Sequence, residues 1–599
     1  MQKSRGMRRD DRRIIIHFDY DCFYASVVEN EDPTLKSVPL AIQQKQIIVT
    51  CNYEARRRGL RKLQLITEAK QVCPEAVIIL GEDLTRFRDA SKELYNFLQQ
   101  SIWSGKAERL GFDEVWLDCT DMIDYNIELL NQNDLQHSFF CLNKDDPTRG
   151  FEYDASQVFG PTFPRSTAPS SESATATDEQ LYIRLCLGSH LARHLRHGLE
   201  AEKGYTSTVG IATSKILSKL IGNVNKPKNQ TTIVPPYDPV GLPESNVAQF
   251  LDAHDIGKIP GIGFKIAHKI RSHVLGRPPD FDQGLIYGAT KESVTVLDVR
   301  SYPAMGPEML ETILAGPGSP KGIGGKVWEL IHGIDDSEVG MAKRIPSQIS
   351  QEDSYMKYLR TFEQVKEQLL LLSDRLIRRM RMDLCEDDDD DDAATEGAHP
   401  RSRWMAHPRT LRLSTRPRPP PGPDGTRART FHRISRSGPM PNFVFNLIES
   451  SIVLAERLVA ETLLPMFRKL HHETNGWNLS LINIAATNMA ETAAETKDSK
   501  GRDIGKMFRH QDEVLKDFKV VVESDTIEDV PSPLPKASSV DDSSTGIDAS
   551  SGNLPLADAA EGWDSEDSER GDVERCEYCQ AYVPIFALAA HQRYHQLSN

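Results

Sequence analysis

Asp19 and Asp21 close the apolar run I-I-H-F-D-Y-D (residues 15–21). A second acidic pair, Asp113-Glu114, stands in R-L-G-F-D-E-V-W-L-D, just ahead of another apolar run. Residues two apart on a strand point to one face, so the first pair presents two carboxylates together. If the two runs are neighbouring strands, three or four carboxylates converge. Like charges at such range raise one another's pKa, and divalent cations relieve the repulsion. Hard oxygen ligands favour Mg2+, and two such ions can hold the attacking and leaving oxygens of a phosphoryl transfer. The spacing leaves Asp19 and Asp21 equal candidates. It also suits acids that cap helices or pair with arginines.

Cations follow. From Arg56 to Lys62, R-R-R-G-L-R-K, five of seven side chains are cationic, directly after an apolar run and Tyr53. The planar fork of arginine matches phosphate oxygens. Residues 259–270, I-P-G-I-G-F-K-I-A-H-K-I, place Gly261 and Gly263 ahead of a basic helix in a helix-hairpin-helix pattern. Backbone there can approach a DNA phosphate, and the following helix turns its N-terminus toward the anion. Such a contact reads no base sequence. Near the C-terminus, Cys576, Cys579, His591 and His595 stand in the spacing Cys-x2-Cys-x11-His-x3-His. Two thiolates and two imidazoles suit one tetrahedral Zn2+, which replaces the core that so short a segment cannot build.

These groups need a frame. Residues 12–18 read as a strand, 20–30 as a helix, and 38–51 as two strands with a polar turn. Residues 52–98 alternate basic helix with the short apolar strand A-V-I-I-L, and 115–119 form another strand. Leu181, Leu185, Leu191 and Leu195 give 181–200 helical spacing. T-S-T-V-G-I-A-T (206–213) is a strand, followed by a helix to about Ile221. This alternation, with helices on one face, predicts a split βαβ, ferredoxin-like sheet. The Ser-, Thr-, Pro- and Asp-rich stretch 143–180 reads as a loop insertion. Residues 247–340 read as helical, 352–384 as one long amphipathic helix, and 407–416 as a half-buried strand.

The chain of 599 residues exceeds one core and implies about three to five domains. Its net charge of −15 conceals two acidic tracts. Residues 523–574 carry −13 and Glu386–Asp392 carry −7, so the rest is basic at +5. Residues 401–436 hold ten arginines against one acid, Asp424. That is a surface for phosphates. No apolar run reaches the roughly 18 residues of a membrane span, and the basic N-terminus lacks the apolar region of a secretory signal. Of nine cysteines, seven are scattered and only Cys576 and Cys579 sit close together, which is no disulfide framework and implies a reducing compartment.

Taken in order, F-D-Y-D-C-F-Y-A, C-N-Y-E-A-R, G-F-D-E-V-W-L-D, V-G-I-A-T-S-K-I-L-S-K-L and N-K-P resemble the Y-family translesion DNA polymerases over residues 12–490. G-F-D-E and the Q-Q-K ahead of V-T-C-N-Y-E-A-R are similar to the iota-like branch. The resemblance implies an α+β multidomain protein with a right-hand arrangement. Residues 1–11 would be a basic tail, and 12–30 with 92–244 a ferredoxin-like palm carrying a disordered insertion at 143–180. Residues 31–91 would be small fingers, 245–340 a helical thumb, and 345–490 an α/β little finger. A disordered acidic linker at 491–570 and a ββα zinc finger at 571–599 complete the chain.

The same resemblance implies that Asp19, Asp113, Glu114 and the main-chain carbonyl of Tyr20 bind two Mg2+ ions, and that Asp21 is structural. Phe23 and Tyr24 would floor the sugar, with Tyr24 excluding a 2′-hydroxyl. Thr50, Tyr53, Arg56 and Lys226 would meet the triphosphate of a dNTP, with Arg61 or Lys62 beside them. Gln44, Lys45 and Ile47 would narrow the pocket over the templating base of primer-template DNA. The zinc-type tail resembles the ubiquitin-binding finger of the eta branch, with Arg593 where that finger carries an acid. It implies ubiquitin or a ubiquitinated sliding clamp as partner. The amphipathic stretch 503–518 is a second candidate for clamp docking, although Asp517 stands where an aromatic is expected. A monomer in the nucleus is expected, with no proofreading site. An eta-like bypass enzyme and an inactive DNA- and ubiquitin-binding scaffold are the alternatives.

Overall fold

The computed structural model describes residues 7–165, 175–238, 240, 245–280, 291–316, 319–342, 345–387, 402–417, 433–472 and 477–491, together with 573–575 and 582–584. Cys576, Cys579, His591, His595, the stretch 503–518 and most of the acidic tracts lie outside the described residues.

The N-terminal part begins with β1 (Ile15–Tyr20) and α1 (Phe23–Glu31), followed by β2 (Leu40–Gln44), β3 (Ile47–Cys51), α2 (Tyr53–Arg57), α3 (Ile66–Val72) and β4 (Val77–Leu80). Next come α4 (Thr85–Gln100), β5 (Ala107–Leu110), β6 (Glu114–Asp118), α5 (Thr120–Glu128), β7 (Ser138–Cys141), β8 (Gly150–Tyr153) and β9 (Thr162–Phe163). Helix α6 (Ala176–Gly198), β10 (Ser207–Ala212), α7 (Lys215–Ile221) and β11 (Gln230–Ile233) complete it. The main sheet runs β5-β6-β1-β10-β11-β9, and β1 is antiparallel to both β6 and β10. A smaller sheet, β3-β2-β4, has its own core of Ala41, Ile48, Cys51, Ala55, Leu60, Ala69 and Cys73.

Alternation along β1 divides its side chains. Ile14, Ile16, Phe18 and Tyr20 enter the large core shared with Leu185 and Leu191 of α6 and Leu94 and Leu98 of α4. Ile15, His17 and Asp19 take the other face, where Ile15 packs with Trp116. The sequence predicts helices on one face only. In the structure α7 covers the second face, touching β1 and β10. Gly210 permits this, because a Cβ there would lie 1.9 Å from the Ser218 carbonyl oxygen and 2.6 Å from the Gly222 nitrogen.

Two further expectations are corrected. The described residues of the 143–180 stretch are not a loose loop: β9 pairs with β11 at the edge of the main sheet, and α6 starts at Ala176. Its Ser, Thr and Asp residues close turns, as Asp146 does with Thr148 and Asp154 with Ser156. The expected helix over 352–384 is a strand and a helix. The segment Gln348–Leu359 pairs along Leu479–Glu491, and the helix begins only at Phe362, where Thr361 and Gln364 form a capping box.

Short helices follow the first unit: α8 (Asn246–Asp252), α9 (Phe264–Leu275), α10 (Val296–Arg300), α11 (Pro307–Leu314) and α12 (Ile323–Leu330). The C-terminal unit contains β12 (Gln348–Leu359), α13 (Phe362–Leu384), β13 (Cys385–Asp387), β14 (Ser402–Trp404), β15 (Ala406–Pro417) and β16 (Ile434–Pro439). Helices α14 (Ser451–Leu458) and α15 (Leu464–Leu470) and strand β17 (Leu479–Glu491) finish it. Its sheet, β12-β17-β15-β16, packs on Val365, Leu369, Leu372, Leu376 and Met380 of α13. Farther on, β18 (Val573–Arg575) and β19 (Tyr582–Pro584) pair antiparallel on either side of the Cys-x2-Cys pair. Among the described residues, no helix is long and apolar enough to cross a membrane, and the seven cysteines are free thiols.

The Gly210 contact is testable. Gly210→Ala is expected to lower stability by about 3 kcal/mol, because backbone rather than a flexible side chain must move. Urea unfolding measures this, and a loss below about 1 kcal/mol would contradict the close packing of α7.

Candidate active site

The antiparallel register sets Asp19 on β1 opposite Glu114 on β6, with Asp113 one residue before it. The amide of Tyr20 donates to the Asp113 carbonyl at 2.8 Å and fixes this corner. Asp21 does not share the face. The strand ends at Tyr20, and the Asp21 carboxylate turns into the protein, accepting from Thr208 Oγ1 at 2.8 Å and from the Lys228 amide at 2.9 Å.

The three remaining carboxylates sit among cations. Lys226 Nζ meets Asp19 Oδ2, and Lys219 Nζ from α7 meets Glu114 Oε2, each at 2.5 Å. The surrounding protein, then the charges of Asp19 and Glu114, push the Asp113 carboxyl up to about 7, and Lys62 opposes the rise. Burial raises Asp19 too, against the pull of Lys226. Burial acts the same way on Glu114, but His17 and Lys219 outweigh it and hold the group at about 2.

Among the described residues, no three His, Cys, Asp or Glu side chains are gathered closely enough to hold a metal ion. The predicted Mg2+ ligands therefore stand at one corner without forming a cage, since two of them are drawn to lysines. The donor set itself is all oxygen, and the burial and mutual repulsion that raise Asp113 mark a place that favours a hard divalent cation.

The cationic run separates by partner. Arg57 and Arg58 pair with Glu54, Arg58 also with Glu75, and Arg61 with Glu68. Arg56 lies over the Tyr53 ring at 4.7 Å, with Nε donating to the Cys51 carbonyl at 3.3 Å. Of Arg61 and Lys62, it is Lys62 whose charge bears on the acidic corner. Thr50 is half-buried at the end of β3. Phe23 and Tyr24 open α1 and are buried, at 3% and 8% exposure. The Tyr24 ring packs 4.4 Å from Phe87 and 6.2 Å from Phe112, the residue before Asp113.

Gln44 and Lys45 form the tip of the β2–β3 hairpin. Gln44 Nε2 donates to the Gly81 carbonyl at 2.8 Å, and Lys45 Nζ reaches Ser354 Oγ of β12 at 3.0 Å. Ile47 is half-buried beside Leu65. Gly261 has φ +87 and Gly263 is the N-cap of α9. The sequence reading missed Lys219 and His17 as members of the site. Lys215 and Lys219, four apart in S-K-I-L-S-K-L, were the visible signal that one helical face is cationic.

Two profiles of one family match this chain. The impB/mucB/samB family profile matches residues 18–223, and the profile of that family's C-terminal domain matches 346–499. The chain belongs to the impB/mucB/samB family. The first match holds all three carboxylates. DNA polymerase iota of Homo sapiens is 28% identical over 477 residues, which is 80% of this chain and 52% of the human protein. DNA polymerase iota of Drosophila melanogaster is 34% identical over 261 residues, 43% of this chain and 31% of that protein. DNA polymerase eta of Drosophila melanogaster is 28% identical over 291 residues, 44% of this chain and 31% of the relative. This impB/mucB/samB chain thus spans about half the length of the human relative it matches.

The raised Asp113 carboxyl has a consequence in metal-free buffer. The native acid holds its proton up to about 7, whereas in the unfolded chain it is lost near 4. Between those values the native state binds more protons, so this group makes stability fall as pH rises. The side chain faces solvent, which limits the size of the effect. Asp113→Asn is expected to flatten the decline between pH 4 and 7, measured by urea midpoints. An unchanged slope would show that Asp113 titrates normally.

Proposed function

We propose that this chain is a template-directed DNA polymerase of the Y-family translesion type, iota-like and of low fidelity, that adds dNTPs opposite damaged bases without proofreading. The observation that carries this reading is the register of β1 on β6, which gathers Asp19, Glu114 and Asp113 at the end of one sheet beside Lys62, Lys219 and Lys226. In this reading the main sheet is the palm, and the β3-β2-β4 layer with its helices is the fingers. Helices α8–α12 are the thumb, and the C-terminal unit is the little finger.

Asp19, Asp113, Glu114 and the Tyr20 carbonyl would hold Mg2+. Bound there, the ions would stabilise the attacking 3′-oxygen and the oxygen leaving with pyrophosphate. The protein's own groups do the rest. Thr50, Tyr53, Arg56 and Lys226 bind and orient the triphosphate, with Lys62 offsetting its charge. Phe23 and Tyr24, the latter packed against Phe87, hold a surface under the sugar that leaves no room for a 2′-hydroxyl. Gln44, Lys45 and Ile47 shape the space over the template base. Gly261 and Gly263 bring backbone to a DNA phosphate.

A catalytically silent DNA-binding scaffold is the second reading, favoured by the lysines that engage Asp19 and Glu114. Single-nucleotide insertion on four templates separates the two. Wild type is expected to insert better opposite template A than opposite T, and Glu114→Ala is expected to lose at least about 100-fold. Equal activity of the two proteins, or none in either, would remove the polymerase assignment. Equal and faithful insertion opposite A and T would remove the iota-like part and leave the eta-like alternative.

For the tail, the proposal is that Cys576, Cys579, His591 and His595 bind one Zn2+ and that the finger binds ubiquitin, bringing the enzyme to ubiquitinated clamps in the nucleus. Titration of the full chain with ubiquitin is expected to give weak binding that Cys576→Ala abolishes. No binding at about millimolar ubiquitin, a very weak affinity on the usual scale, would remove the partner.

A further inference from the structure

His17 is the buried polar group that the reading above leaves unused. It lies two residues before Asp19 on the same face of β1, opposite Trp116 on β6 and Gly210 on β10. It is 1% exposed, and its ring lies 5.0 Å from that of Trp116. Because α7 closes down on Gly210, the imidazole is enclosed by Trp116, β10 and α7. Its chain neighbours, Ile16 and Phe18, and Ile15 on its own face are apolar, and an apolar ring would fill this space without polar atoms to satisfy. Neither ring nitrogen of His17 has a hydrogen-bond partner. An unsatisfied buried nitrogen is costly, and native proteins rarely carry one without a use.

The geometry indicates the use. His17 Nε2 points at Glu114 Oε2 from 3.6 Å, the same oxygen that Lys219 reaches. That is beyond hydrogen-bond range, but catalytic hydrogen bonds often tighten only when the site is loaded. Lys219 ends a flexible stem, whereas the His17 ring is buried against Trp116. We propose that His17 is a positioning residue: its Nε2–H donates to Glu114 in the loaded site and sets the angle at which that carboxylate faces a divalent cation. This rests on the assignment of Glu114 as a cation ligand. Partners that orient ligands in this way typically change metal affinity or activity by about 10–100-fold when removed.

The test uses the full chain with two substitutions, His17→Phe, which keeps a ring and removes the donor, and His17→Gln, which retains an N–H donor. Mn2+ binding followed by electron paramagnetic resonance needs no polymerase activity, and it is read beside kcat, the KM for dNTP and the melting temperature. His17→Phe is expected to weaken Mn2+ binding about tenfold and to lower kcat with KM for dNTP unchanged, while melting no lower than wild type. His17→Gln is expected to restore Mn2+ binding to within about threefold of wild type, a small part of that range. Unchanged Mn2+ affinity and kcat in His17→Phe would overturn the proposal. So would equal losses of Mn2+ affinity in both variants, or a drop in melting temperature in both, because His17 would then be only a packing residue. If wild type binds Mn2+ but does not extend primers, the polymerase reading fails while the Mn2+ comparison still decides the role of His17.

Discussion

The candidate site depends on the antiparallel pairing of β1 with β6. That register sets Asp19 against Glu114, although like charges favour separation. At 4 Å and an effective dielectric constant near 20, two such charges repel by about 4 kcal/mol. On the opposite side of the strand, Ile14, Ile16 and Phe18 are fully buried, each worth about 1.5–3 kcal/mol. A slip of one residue would turn that apolar set out of the core. Burial on one face therefore enforces charge crowding on the other, and the core outweighs the repulsion.

The crowding is relieved by cations from three directions. Lys219 comes from α7, Lys226 from the segment before β11, and Lys62 from the smaller sheet's layer. Lys219 reaches Glu114 from α7, which lies close because β10 has no side chain at Gly210. The same close approach encloses His17 and packs Lys215 over Trp116, with Trp116 Nε1 donating to the Lys215 carbonyl. The missing Cβ at Gly210 thus bears both on how close Lys219 comes and on how fully His17 is enclosed.

Much of this was legible in the sequence because local pattern and burial agree. The period of β1, the acidic pair before β6 and the half-buried strand at 406–417 all follow from alternation. What failed has a common cause. Where a strand stops is set by its partners, so Asp19 and Asp21 looked equivalent until β1 ended at Tyr20. The acidic residues 352–353 continue the polar pattern of α13, and only pairing with β17 makes them strand. Ser, Thr and Asp give the same composition to a loose loop as to the tight turns between β7 and β9. A helix on the second face of the sheet has no signature beyond two lysines four residues apart.

The contacts between the two units are of a different kind from those within them. Each unit has its own apolar core. Between them, Lys45 reaches Ser354 of β12, and Lys92 donates to the Met382 carbonyl of α13. Exposed polar contacts of this kind contribute about 0.5–1.5 kcal/mol each, far less than either core. Every carboxylate and lysine of the acidic corner belongs to the N-terminal unit, so its geometry is independent of the angle between units. Gln44 and Lys45 stand at the tip of the hairpin that touches β12. The Lys45–Ser354 contact therefore ties that hairpin tip, and not the carboxylates, to the C-terminal unit.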